Sequence, residues 1–166
     1  AISSTPLVIP ASDLDALLTG SPGLRRAREL YTLGRESEAD AEWQQATQGF
    51  NRQALQQAAV LAHRWDWHPQ AIATISRAEH WDNLELRFPL AYRDVVINNA
   101  RADMVDPSWV YAVIRQESSF RPAARSPVGA LGLMQIMPAT GHQIAQELRD
   151  ASADHPALLK PDINLR

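Results

Sequence analysis

Apolar residues recur along this chain at helical spacing, and the alternation typical of strands is nearly absent. Between Asn51 and Arg64, alanine and leucine occupy positions 54, 55, 58, 59 and 62. Such spacing places apolar side chains on one face of an α-helix. Asn51 is a favoured N-cap residue, while Pro22 and Pro69 are typical first residues of helices. The pattern predicts successive short helices joined by short connections.

Alanine-rich contact faces on these helices favour close packing of neighbouring hairpins. We therefore expect an all-α chain in which residues 1–88 form a helical linker or α-solenoid segment. Ser12 with Asp15 predicts a capping box at the first helix. A boundary is expected near Pro89, and residues 89–166 would form a second domain.

A predicted helix over residues 90–102 follows this boundary, either as the last helix of the linker or as the first helix of the second domain. Asp106 as N-cap and Pro107 as first helical residue predict another helix, which ends at Glu117. Pro138 opens a further helix. This part has fewer than 80 residues, which is marginal for an independent core. We therefore expect the second domain to be incomplete at its C-terminal side.

Composition removes several classes of protein. The apolar share of 45% fits a globular chain, and no apolar run approaches the roughly 20 residues that span a bilayer. With 16 basic and 19 acidic residues, the chain lacks the positive excess of a nucleic-acid-binding protein. Cysteine is absent, which excludes disulfides, thiolate metal sites and cysteine nucleophiles.

Trp65, Trp67 and Trp81 stand close together in sequence. They would form either a platform for sugar rings or, as is more common for aromatic side chains, buried packing between hairpins. We expect no cofactor and no metal site, because the spacing of the histidines is not that of metal ligands. They are better interpreted as solvated or packed side chains: His63, His68, His142 and His155.

Glu117 is the strongest candidate for chemistry. It lies at a helix end on the same face as Val113 and Ile114, and burial against apolar side chains raises the pKa of a carboxyl. The partial negative charge of a helix C-terminus acts in the same direction. A protonated glutamic acid suits general-acid cleavage of a glycosidic bond. Alternatively, Glu117 is solvated or paired with Arg115 or Arg121.

A glycine-containing segment follows Glu117 closely. Gly129 and Gly132 permit backbone conformations closed to other residues and a close approach by a ligand. Ser126 and Gln135 are isolated hydrogen-bonding groups beside the mostly apolar residues 131–137. An apolar cleft with few polar groups is typical of small-ligand and sugar sites. A buried turn with satisfied polar side chains remains the alternative.

A resemblance to a known family narrows the functional interpretation of this region. Residues 116–120 read Gln-Glu-Ser-Ser-Phe, and residues 126–138 read Ser-Pro-Val-Gly-Ala-Leu-Gly-Leu-Met-Gln-Ile-Met-Pro. Together they resemble the soluble lytic transglycosylases. Residues 81–92, Trp-Asp-Asn-Leu-Glu-Leu-Arg-Phe-Pro-Leu-Ala-Tyr, are similar to the linker ahead of the catalytic domain in the large periplasmic member.

The resemblance implies a lysozyme-like catalytic domain that cleaves the β-1,4 bond between N-acetylmuramic acid and N-acetylglucosamine in peptidoglycan. Glu117 would first protonate the leaving oxygen. As a carboxylate it would then accept the proton of the muramoyl C6 hydroxyl, which attacks the anomeric carbon and closes a 1,6-anhydro ring. The expected location is the periplasm, and the expected partners are glycan strands.

The resemblance also implies which residues contact the substrate. Ser126 and Gln135 would contact the glycan or orient the acid, Met137 would line the cleft, and Gly129 and Gly132 would shape it. The family carries a later Ala-Tyr-Asn-Ala-Gly segment whose tyrosine helps to position the acid. Nothing in this sequence matches that segment, so the resemblance does not imply that this chain by itself is active.

Two alternatives stay open. The first is a hydrolase with a goose-type lysozyme site, in which Asp154 or Asp162 activates water. Glycosidases commonly use two carboxyl groups about 5–9.5 Å apart. The next acidic residue after Glu117 is Glu147, so the segment around Glu117 offers no second acid for such a pair. The second is a helical scaffold that binds a partner through residues 1–90 and carries an inactive catalytic remnant.

Overall fold

The computed structural model describes Ser4, residues 6–149 and residues 157–166. Within these residues the secondary structure is helical, with two isolated antiparallel bridges and no strand. No described helix combines the length and the apolar character needed to cross a membrane. The α-helices are α1 (Ala11–Gly20), α2 (Pro22–Thr32), α3 (Glu36–Thr47), α4 (Arg52–Arg64), α5 (His68–Arg77), α6 (Leu84–Arg87), α7 (Arg93–Ala102), α8 (Pro107–Glu117), α9 (Pro138–Glu147) and α10 (Pro161–Asn164).

Local sequence signals account for most helix starts. Asn51 caps α4, where its Oδ1 accepts a hydrogen bond of 2.9 Å from the backbone N–H of Ala54. Proline stands in the first turn of α2 and of α5, as predicted. The predicted capping box at Ser12 is wrong, because Pro10 is the N-cap of α1 and no side chain caps this helix.

The chain divides into two compact units, Ala1–Pro89 and Leu90–Arg166. In the first unit, α2 packs against α3 and α4 packs against α5, so that consecutive helices form hairpins. Small residues allow the close approach: a Cβ on Gly23 would lie 2.7 Å from the Cβ of Ala46. These contacts explain why alanine and glycine occupy the facing positions.

The core of the first unit is aromatic. Trp43 and Trp67 are buried with ring centroids 5.3 Å apart, and Tyr31 stacks on Trp67 at 4.5 Å. Trp65 meets Trp43 edge to face at 6.1 Å. The indole Nε1 of Trp43 donates a hydrogen bond of 3.0 Å to the hydroxyl of Thr74. Trp65 and Trp67 therefore serve packing between hairpins.

Trp81 does not belong to this aromatic core. Its side chain is 52% exposed, and the guanidinium of Arg87 lies 5.2 Å from its ring centroid. The same guanidinium lies 5.2 Å from the ring of Phe88. The arginine thus covers one face of each ring.

In the second unit, α7 packs against α8. Helix α7 begins at Arg93 and not at residue 90, because Tyr92 adopts a left-handed backbone conformation (φ 55°). A long loop joins α8 to α9, and a 3-10 helix at Ala157–Leu159 precedes α10. The buried apolar side chains come from all these segments: Val96, Ala100, Ile114, Phe120, Ala130, Leu131, Leu133, Ala145, Ala157, Leu158 and Leu165.

Candidate active site

Helix α8 places Glu117 at its last position. Asp106 caps the helix, with its Oδ1 accepting a hydrogen bond of 2.8 Å from the backbone N–H of Ser108, and Pro107 follows as predicted. Hydrogen bonds from the backbone and side chain of Ser108 hold the pKa of Asp106 below its ordinary value. The predicted helix, including both of its ends, is confirmed.

The expectation that Glu117 is buried over apolar side chains is wrong. Its side chain is exposed, while Ile114 is fully buried and Val113 is half-buried. At 100° per residue, Glu117 lies about 60° around the helix from Ile114, which faces the core. Among the described residues, no side chain forms an ion pair with Glu117, so pairing with Arg115 or Arg121 is not observed.

Directly after Glu117 the chain reverses sharply. Ser119 and Phe120 both have positive φ angles, 50° and 68°. Such angles cost an L-residue about 1–2 kcal/mol each, so tertiary contacts must stabilise the turn. Phe120 supplies one such contact, since its ring is buried and lies 6.3 Å from that of Tyr111. The buried phenylalanine anchors the turn next to the exposed carboxyl.

Residues 126–137, here called the glycine loop, fold back on themselves. The N–H and C=O groups of Leu131 and Ile136 pair with each other at 3.0 and 2.9 Å. Ser126 closes the first turn: its Oγ accepts a hydrogen bond of 2.9 Å from the backbone N–H of Ala130. The Ser126 side chain thus stabilises the loop from within.

Gln135 also bonds within this region. Its Nε2 donates to the carbonyl oxygens of Gly132, at 2.9 Å, and Ala124, at 3.3 Å. Its backbone has a φ of 50°. No described residue donates a hydrogen bond to its Oε1, which remains an acceptor for a ligand. Met137, at the end of the loop, is 41% exposed.

The two glycines of the loop have different surroundings, although both have positive φ. At Gly132 (φ 77°) a Cβ would lie 2.3 Å from Asn164 Nδ2 and from the carbonyl oxygen of Leu158. At Gly129 (φ 93°) a Cβ would meet no atom within 4 Å. Gly132 therefore serves close packing of the protein against itself, whereas Gly129 has open space beside it.

Asn164 is a residue of this region that the sequence analysis missed. It is buried in the short helix α10 and bonds to Met134 and Leu131 of the glycine loop, thirty residues or more away in the chain. Its only signal in the sequence is a polar residue between the apolar Ile163 and Leu165. Nothing in that pattern indicates the partner.

The other candidate residues belong to other segments or fall outside the described part. Asp162 is exposed on α10, whereas Asp154 and His155 fall outside the described residues. Within the described residues, no three histidine or acidic side chains gather as metal ligands. His63 and His68 have ring centroids 5.8 Å apart in the first unit.

Comparison with protein families covers both units. The model of the soluble lytic murein transglycosylase L domain matches residues 18–84, and the model of the transglycosylase SLT domain matches residues 94–166. The chain belongs to the soluble lytic transglycosylase family. The resemblance carried by residues 116–120 and 126–138 is therefore confirmed.

Relatives of the family support the same assignment. The chain is 33% identical to the soluble lytic murein transglycosylase of Salmonella typhimurium over 93% of its own length and 24% of that protein. It is similar to a structure of an inactive glutamate-to-glutamine mutant of lytic transglycosylase Slt from Pseudomonas aeruginosa, with 36% identity, a TM-score of 0.89, and coverage of 99% of this chain and 27% of that one.

A second solved structure, the 70 kDa soluble lytic transglycosylase of Escherichia coli, has a TM-score of 0.88 and 30% identity, over 99% of this chain and 26% of that one. The predicted all-α, lysozyme-like fold class is confirmed. The chain spans about a quarter of the length of these soluble lytic transglycosylases. The roles of individual site residues stay predictions.

Proposed function

We propose that this chain is part of a peptidoglycan lytic transglycosylase. The observation that carries the proposal is the match of both units to transglycosylase domains, in a chain whose Glu117 is exposed at the end of α8. The substrate would be the glycan strands of peptidoglycan, and the cleaved bond the β-1,4 link from N-acetylmuramic acid to N-acetylglucosamine. The proposed location is the periplasm.

Glu117 would act first as an acid and then as a base. Its proton passes to the glycosidic oxygen of the departing N-acetylglucosamine, and the C1–O bond of the muramoyl residue breaks. The resulting carboxylate accepts the proton of the muramoyl C6 hydroxyl, whose oxygen bonds to C1. The carboxyl ends protonated, as it began, and no water is consumed. An exposed carboxyl suits this scheme, because the substrate must reach it.

The glycine loop would supply the contacts that hold the glycan. Gln135 has an acceptor oxygen to which no described residue donates, and Met137 offers a partly exposed apolar side chain. Gly129 has free space beside it for a close approach. Ser126 and Gly132 would act on the glycan through the shape of the loop, since the first bonds within it and the second is packed against Asn164.

The proposal is tested by digesting purified murein with the natural full-length protein and analysing the products by mass spectrometry. We expect 1,6-anhydromuramoyl ends and no incorporation of heavy oxygen from labelled water. Glu117→Gln should reduce cleavage by at least about 100-fold, the usual contribution of an acid–base residue. Its midpoint of thermal unfolding should stay unchanged, because the exposed carboxyl has no partner among the described residues.

Glu147→Gln is a matched control, since Glu147 is also an exposed glutamate at a helix end. It should retain full cleavage. Reducing ends that carry heavy oxygen would show a hydrolase and refute the proposed reaction. Retained cleavage by Glu117→Gln would refute the role of this residue. Binding of a partner by residues 1–90, without any cleavage by the full-length protein, would favour a scaffold.

A further inference from the structure

Asn164 is one of few buried polar side chains among the described residues, and its side-chain amide forms three hydrogen bonds to backbone atoms. It is 2% exposed. Its Nδ2 donates to the carbonyl oxygens of Leu131, at 3.0 Å, and Leu158, at 2.7 Å. Its Oδ1 accepts a hydrogen bond of 2.7 Å from the N–H of Met134. Both hydrogens of the amide and one lone pair of its oxygen are therefore used.

Two of these bonds fall on the part of the glycine loop around Gly132. Leu131 and Met134 flank Gly132, and the carbonyl of Leu131 also accepts the N–H of Ile136. Gln135, a proposed substrate contact, lies within the same turn and has a left-handed backbone. Asn164 thus holds the two sides of a turn that presents a candidate binding residue.

The absence of a side chain at position 132 is part of the same arrangement. A Cβ on Gly132 would occupy the space of the Asn164 amide, at 2.3 Å from its Nδ2. The amide reaches the backbone of Leu131 because the neighbouring residue is glycine. The glycine and the asparagine are therefore complementary, although 32 positions separate them in the sequence.

We propose that Asn164 is a positioning residue of the candidate active site, which fixes the glycine loop in the conformation that presents Gln135 to the glycan. The inference rests on the proposed function. Asn164 makes no described bond to Glu117 and would act through the backbone of Leu131 and Met134. Without it, the N–H of Met134 and the carbonyl of Leu158 lose this partner, and the carbonyl of Leu131 keeps only the N–H of Ile136, which favours opening of the turn.

The test uses Asn164→Asp in the natural full-length protein, with soluble uncross-linked peptidoglycan strands as substrate. The aspartate keeps the size and one acceptor, but it replaces the donor with an oxygen that faces the carbonyls of Leu131 and Leu158. Loss of such a pairing shifts an equilibrium by about tenfold. We expect KM to rise by about that factor at neutral pH, while kcat changes less.

A pH series separates positioning from a general loss of structure. A protonated aspartic acid regains one donor, and burial beside two carbonyl oxygens favours this protonated form. The ratio of KM between Asn164→Asp and the unsubstituted protein should therefore fall toward one as the pH decreases. Because it is a ratio at each pH, any pH dependence that the two proteins share cancels. Asn164→Ala should show the raised KM without this restoration.

Asn99→Asp is the matched control. The Nδ2 of Asn99 donates a hydrogen bond of 2.9 Å to the carbonyl of Leu165, the residue after Asn164, and makes no described bond to the glycine loop. It should lower stability but leave KM unchanged. Equal KM values for Asn164→Asp, Asn164→Ala and the unsubstituted protein would overturn the inference while leaving the proposed function intact.

Amide hydrogen exchange tests the inference independently of activity. Ile136 donates its N–H to the carbonyl of Leu131, so opening of the turn exposes this amide. We expect its exchange to be about tenfold faster in Asn164→Asp than in Asn99→Asp. Unchanged exchange would overturn the inference. If the unsubstituted protein cleaves no murein, the proposed function fails, and this exchange rate still decides whether Asn164 holds the loop.

Discussion

Replacing Gly132 by alanine is the sharpest test of the packing in the glycine loop. Two separate effects oppose the substitution. The φ of 77° is unfavourable for any residue with a Cβ. The new Cβ would also lie 2.3 Å from Asn164 Nδ2 and from the carbonyl oxygen of Leu158, closer than real contacts allow. One neighbour is backbone and the other is held by three hydrogen bonds, so neither moves easily.

The matched substitution at Gly129 separates these effects. Gly129 also has a positive φ, of 93°, but a Cβ there would meet no atom within 4 Å. Gly129→Ala should therefore cost only the backbone term, about 1–2 kcal/mol. Gly132→Ala adds an overpacking term of about 1–3 kcal/mol, for a total near 2–5 kcal/mol. The difference between the two variants isolates the contact with Asn164 and Leu158.

Urea denaturation followed by far-ultraviolet circular dichroism measures both losses. The chain has two compact units, so the transition of the second unit must be identified, for example from amide exchange at Ile136. We expect Gly132→Ala to lower the free energy of unfolding of this unit clearly more than Gly129→Ala does. Equal losses of free energy in the two variants would refute the view that packing requires glycine at position 132. The positive φ angle would then be the only reason for glycine there.

The remaining predictions concern the first unit. Thr74→Val should destabilise it by about 1–3 kcal/mol, because the buried Nε1 of Trp43 would lose its partner; urea denaturation measures this, and an unchanged midpoint would contradict it. Burial and the nearby His63 lower the pKa of His68 below its ordinary value of 6.5, with a smaller opposing effect from Asp66. The folded unit therefore has its full stability above about pH 6.5 and loses part of it as the pH falls, because His68 must then become charged. His68→Gln should make the free energy of unfolding fall less steeply with decreasing pH. If the free energies of the two proteins fall in parallel, His68 is not the cause.

Much of the architecture could be predicted because its causes are local. Asn51 and Asp106 bond to N–H groups two or three residues away, so the cap and the helix it starts lie within one short window. The spacing of apolar residues in α4 likewise reflects the geometry of one helix. Ser12 shows the limit of such signals, since a favourable cap residue lies inside a helix that starts two residues earlier than predicted, after Pro10.

The surroundings of Glu117 could not be predicted in the same way. Its apolar neighbours on α8 were correctly placed on one face, yet burial depends on what covers that face. Val113 remains half-buried, and Glu117 remains exposed. Helical periodicity gives the direction of a side chain but not the presence of a partner.

By itself, the sequence determined most of the helices longer than one turn, the family and the candidate acid, because each is carried by residues adjacent in the chain. Only the tertiary structure decided that Gly132 faces Asn164, that Ser126 and Gln135 bond within the loop, and that Glu117 stays exposed. The physical reason is the same in each case. A hydrogen bond or a steric contact depends on distance in space, and Asn164 meets the glycine loop after about thirty intervening residues.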